Sequence, residues 1–150
     1  MLKRPFLSLL IFISSLTAVY LVYAQMGRGM MQSMVRHHYI MRYGISEKYR
    51  GKSNPIALTE ENLAKGKQLY STFCTACHGS KGYGDGPAGK SLNPRPANLS
   101  STVNQPMTTD SFLLWTISEG GTAFKTAMPP FKEAISEEDI WKIILYLYKL

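Results

Sequence analysis

Apolar positions recur at helical spacing in three separate stretches of this chain, and each stretch opens on a capping signal. In the first, Thr59 is placed to accept from the following turn, Glu60 and Glu61 complement the helix dipole, and Leu58 faces Leu63 as a hydrophobic staple. This predicts a helix from Thr59 to about Phe73. The second opens on Thr109 or Asp110, continues through "SFLLWTISE" and stops at Gly120-Gly121. The third starts at Ser136, where "SEED" forms a capping box with Asp139 and Ile135 staples to Ile140. It runs to Leu150, with Trp141, Ile144, Leu145 and Tyr148 at helical spacing. A further short helix, about 31 to 43, fits between breakers at Gly27 to Gly29 and Gly44.

The connections differ in character. Gly79, Gly82, Gly84, Gly86 and Gly89, followed by Pro94, Pro96 and Pro106, preclude regular helix over about 30 residues. The same segment shows no strand alternation, so the expected class is all-α with a long loop that wraps something. Three short helices on such loops bury too little apolar surface to offset their ordering entropy. The centre should therefore contain a group that is not a side chain.

Charge divides the chain. Lys and Arg outnumber Asp and Glu by 17 to 10. Residues 25–52 hold six basic groups, Arg28, Arg36, Arg42, Lys48, Arg50 and Lys52, against Glu47, whereas residues 53–150 balance. A nucleic-acid binder carries its basic residues along the folded face with interleaved aromatics, so this pattern points away from nucleic acid and towards a basic arm. Before the arm, a basic start, an uncharged run from Pro5 to Ala24 and the small residues Val22 and Ala24 fit an export signal cleaved after Ala24. The same run is long enough to serve as a retained membrane anchor. Either way the remainder is expected in an oxidising compartment, the periplasm. The expected organisation is a leader (1–24), a Met- and His-containing basic arm (25–58) and one domain (59–150).

The candidate chemistry is concentrated at residues 74–79, "CTACHG", which contain the only two cysteines. Thiols at i and i+3 can each add across a vinyl group on one edge of a porphyrin, and the next histidine then reaches the iron; Cys-x-x-Cys-His is the haem c attachment signature. Zinc would call for four ligands, and a thioredoxin-like dithiol for a βαβ context, neither of which the sequence offers. A plain Cys74–Cys77 disulfide is the remaining alternative. With His78 as one axial ligand, Met128 in "TAMPPF" is the candidate for the other, because Pro129-Pro130 hold it at low entropic cost. Met107, the other two histidines or an open site compete. His/Met ligation raises the potential and leaves no vacant coordination position, which fits electron transfer and disfavours oxygen chemistry.

Residues 59–150 resemble class I c-type cytochromes, particularly the small domains accompanying cbb3-type oxidases. The matching stretches are "GKQLYSTFCTACHG", "GYGDGPAG", "NPRPANL", "AMPPF" and "IWKIILYLYKL". The resemblance implies a monohaem fold with short helices and long loops around one covalently bound haem c. It implies that Gly66 and Tyr70 meet Tyr146, and that the Pro87 carbonyl accepts the imidazole N–H of His78. Arg95 and Trp115 are candidates for the haem propionates, because buried carboxylates need donors; a solvated Arg95 and a core Trp115 account for the same residues. The expected function is a periplasmic single-electron carrier, not an enzyme, exchanging electrons with redox proteins of a respiratory chain and taking no small-molecule substrate. The alternative is a fixed haem subunit of a membrane oxidoreductase, with the arm as docking element.

The arm lies outside the resemblance. A helix there would align Met34, His37 or His38, and Met41, ligand types that copper favours, which makes it a candidate copper site. Methionines at this spacing also serve as adaptable packing, the simpler reading.

Overall fold

A computed structural model describes residues 35–150, so the leader and Met34 lie outside the described residues. Among the described residues there are six α-helices and no strand: α1 Val35–Tyr43, α2 Glu60–Phe73, α3 Thr75–His78, α4 Leu99–Thr102, α5 Asp110–Glu119 and α6 Glu137–Leu147. None is long and apolar enough to cross a membrane.

The capping signals operate as the sequence predicts. The side chains of Thr59, Thr109 and Ser136 accept from the backbone N–H groups of Asn62, Phe112 and Asp139, at 3.2, 3.2 and 3.1 Å. Each cap satisfies one of the amide donors that a helix start leaves unpaired, worth about 1 kcal/mol. Three details depart from expectation. Leu58 stays largely exposed, so it staples little. Helix α6 ends at Leu147, where the chain relaxes into a turn closed by Lys149 N–H on the Tyr146 carbonyl. The glycine- and proline-rich loop contains a single helical turn, α4, because the Asn98 side chain caps Ser101 N–H at 3.2 Å.

The central packing is α2 against α6, with α5 closing on α6. Gly66 permits the close approach of α2: a Cβ there would overlap the Lys142 carbonyl. One turn on, the Tyr70 and Tyr146 rings meet at 5.3 Å, so the expected Gly66–Tyr70–Tyr146 contact is present. Leu69, Leu114, Ile140, Ile143, Ile144 and Leu147 fill the interface. Fully burying a side chain of this size contributes about 1.5–3 kcal/mol, so these six outweigh the three caps.

Residues 44–58 are fastened to this core by polar contacts. Tyr49 is buried and its hydroxyl donates to Glu119 at 2.5 Å. Asn54 donates its backbone N–H to Asp110 and its side-chain amide to the Trp141 carbonyl. Helix α1 lies on the face formed by α5 and the following turn: Tyr39 stacks on Trp115 at 6.1 Å and meets Phe124 edge-on at 5.2 Å.

Candidate functional site

The Cys74–His78 stretch forms one helical turn at the end of α2. The Cys74 N–H closes α2 on the Tyr70 carbonyl, and the Cys74 carbonyl in turn accepts from His78 N–H at 2.8 Å. Both thiols are half-buried and unbridged. Burial, then the neighbouring Cys77, pushes the Cys74 thiol up to about 12, so it is held neutral. Reactive dithiols require the opposite, an electropositive setting that favours thiolate.

The glycine-rich loop folds back over this turn and satisfies its carbonyls. The N–H groups of Gly84, Gly86 and Ala88 donate to the carbonyls of His78, Cys77 and Ala76. At Gly84 the backbone is left-handed (φ 76°), and a Cβ would collide with the Pro96 carbonyl, so only glycine fits. The loop is therefore a tight second layer on α3.

His78 is fixed by this layer. Its Nδ1 lies 3.0 Å from the Ala97 carbonyl oxygen. A carbonyl can only accept, so Nδ1 carries the proton and Nε2 retains its lone pair for a metal. Burial also lowers the His78 pKa, which keeps the ring neutral. The expected acceptor, the Pro87 carbonyl, is not the one used. Residues 86–88 are occupied in capping α3 and leave Pro87 exposed, while the returning "PRPAN" segment brings Ala97 to the ring. Its two prolines stiffen that segment, a signal that identifies a presented backbone but not which carbonyl is presented.

The other candidates separate by burial. Met128 is half-buried at the rim of the core, beside which Cys74, Phe124 and Phe131 are also placed. Its carbonyl accepts from Gly121 N–H at 2.8 Å, and left-handed Gly120 (φ 66°) abuts the Pro129-Pro130 backbone, so the loop bearing Met128 is closed on itself. Met107 is exposed by about half, at 49%. His38 is exposed, and His37 stacks on Phe112 at 4.7 Å. Met41 is exposed by 74%, Met34 of the candidate copper set lies outside the described residues, and among the described residues no cluster of three His, Cys, Asp or Glu could hold a metal. Arg95 is exposed and unpaired among the described residues, in keeping with a solvated loop residue. Trp115 is buried among Tyr39, Phe112 and Phe124.

These residues fit a haem c. Two half-buried thiols at the attachment spacing precede an imidazole whose Nε2 has no hydrogen-bond partner among the described residues. In addition, two buried polar atoms lack a partner among the described residues, Arg36 Nη1 and Thr116 Oγ1. Buried polar atoms are nearly always paired, and such orphans point to a group supplied from outside the described residues.

The helical architecture and the attachment turn define a cytochrome c domain of the class I fold, which implies haem c and electron transfer. The family described as cytochrome c oxidase, cbb3-type, subunit III matches residues 61–147, and the chain belongs to that family. A comparison with curated protein sequences finds no match. Among solved structures, the chain is similar to one from the Kuenenia stuttgartiensis reducing HAO-like protein complex Kustc0457/Kustc0458, at 24% identity and a TM-score of 0.55. The alignment covers 63% of this chain and 46% of that one, and supports the fold alone.

Proposed function

We propose that the protein passes single electrons through one haem c held by thioethers from Cys74 and Cys77, with His78 Nε2 and the Met128 thioether as axial ligands. The reading is carried by the His78 Nδ1–Ala97 carbonyl bond, which orients a neutral imidazole within the turn that holds both thiols. Such a bond fixes the tautomer and strengthens donation to the metal. A haem held here would supply the one-electron chemistry, and a thioether ligand from Met128 would raise its potential. The chain supplies attachment, orientation and exclusion of water, and no side chain acts as acid or base.

The protein works on the exported side of the membrane, in the periplasm, as a carrier between respiratory redox proteins. A second reading, a fixed haem subunit, is supported by the family's description as an oxidase subunit. A pyridine haemochrome spectrum with intact mass tests attachment, haem count and removal of the leader together. One haem and loss of the leader are expected. A colourless protein with two alkylatable thiols overturns the proposal. The far-red charge-transfer band of a Met–Fe(III) pair, lost in Met128→Ala and kept in Met107→Ala, tests the second ligand. A partner copurifying 1:1 with a retained leader would favour the subunit reading.

A further inference from the structure

Helix α1 places one cation where the other described residues offer it no hydrogen-bond partner for Nη1. The Arg36 guanidinium lies 4.8 Å from the Phe124 ring centroid and 5.2 Å from that of Trp115. A Cβ built on Gly121 would stand 3.4 Å from its Nη2. Its Nη1 is buried without a hydrogen-bond partner among the described residues. Glu119, two residues before Gly121, is engaged by Tyr49 and Lys132. Contact with two aromatic faces offsets only part of the cost of drawing a cation out of water. Arg36 as a whole is only half-buried, so its accessible side is left for an anion that the described residues do not provide.

The surroundings indicate which anion. Phe124 and Gly121 both belong to the loop that ends at Met128, and Gly121 N–H holds the Met128 carbonyl. Arg36 therefore rests on the loop carrying the proposed second ligand. The group that this ligand and the Cys74–His78 turn would hold carries carboxylates of its own, the propionates. We infer that Arg36 is the donor that receives a haem propionate, and that α1 is in this way a wall of the haem site contributed from outside the family domain. This assignment rests on the haem reading above. Consistently, burial has already pushed the Arg36 pKa down to about 10 in the absence of a counter-charge.

The test uses the intact, matured protein in its diamagnetic ferrous state with isotope-labelled arginine. Nuclear Overhauser contacts between the Arg36 guanidinium protons and the propionate methylenes are expected, with slowed exchange of those protons. Arg36→Gln should lose the contacts and lower the midpoint potential, because removing a cation favours the more positive oxidised state. Arg36→Lys should restore most of the potential. A haem-loaded protein in which Arg36 contacts only the Trp115 and Phe124 rings overturns the inference and leaves the haem reading intact. A pyridine haemochrome showing no haem overturns both. The decisive spectrum is that of the unmutated chain, so it discriminates between these outcomes even where a variant fails to mature.

Discussion

The Tyr70 hydroxyl donates to the Gly79 carbonyl at 2.8 Å, tying helix α2 to the residue that follows His78. Tyr70 is buried, and burial raises its pKa, so the phenol remains a donor throughout the physiological range. The carbonyl also accepts from Gly82 N–H at 3.2 Å, so removing the phenol does not leave it orphaned. Tyr70→Phe should therefore cost about 1 kcal/mol, the net worth of a hydrogen bond, and not the larger penalty of a stranded buried acceptor. Denaturant unfolding of the haem-loaded protein checks this; an unchanged midpoint would show that the bond contributes nothing.

Gly66→Ala pits two effects against each other. Alanine gains about 1 kcal/mol in helix propensity. Its methyl would overlap the Lys142 carbonyl, which belongs to the α6 backbone and cannot rotate aside. Overpacking of this kind costs about 1–3 kcal/mol, so a net loss of stability is expected. A melting temperature at or above that of the parent would mean the helices separate more easily than this contact implies.

Gly84 controls the imidazole indirectly. A Cβ there would collide with the Pro96 carbonyl and press on Ala97, at a left-handed φ that other residues adopt poorly. Gly84→Ala should draw the Ala97 carbonyl away from His78 Nδ1. A less polarised imidazole donates less to ferric iron, so the reduction potential should rise by on the order of tens of millivolts, where about 59 mV corresponds to a tenfold change. Redox titration of the two proteins decides it, and a potential that falls would contradict the direction argued.

Glu119 makes stability depend on acid pH. Hydrogen bonds from Lys132 and then Tyr49 hold its carboxyl below its ordinary value of 4.5. A depressed folded pKa favours the native state above the unfolded value, and that contribution disappears as pH falls through the folded one. The wild type should thus exceed Glu119→Gln in stability at neutral pH and converge with it as pH falls through the lowered folded value. The pair with Lys132 is partly exposed, so the difference should be small. Unfolding midpoints compared across an acid series would show parallel curves if the contact carries no linkage.

What could be seen in the sequence was local. Thr59, Thr109 and Ser136 act within one turn of themselves, and Cys74, Cys77 and His78 within one turn of each other, so spacing alone revealed both helices and attachment site. The Ala97 acceptor could not be read, because a backbone carbonyl leaves no residue-type signature and its position depends on how residues 84–89 consume α3's own carbonyls. Arg36 was hidden for another reason. Counted in a basic arm it looks solvated; only the placement of Trp115 and Phe124, far along the chain, draws its guanidinium out of water.

The same placement revises what the arm can do in docking. Among its described basic groups, Arg36 is half-buried against two rings, Arg50 pairs with Glu47 at 3.2 Å and Lys52 with Glu137 at 2.6 Å. Arg42 and Lys48 remain exposed, each beside a tyrosine ring. If an acidic redox partner is steered by the arm, these two should account for most of the described region's share. Steering by a whole protein field raises association rates by about 10–1,000-fold, so neutralising both in Arg42→Gln/Lys48→Gln should slow reduction at low salt by roughly tenfold or less. The difference should shrink as ionic strength rises, since exposed charges are screened over about 10 Å at 0.1 M. Stopped-flow electron transfer with an acidic partner across a salt series measures both effects. Equal rates for parent and variant at the lowest salt would remove Arg42 and Lys48 from the encounter.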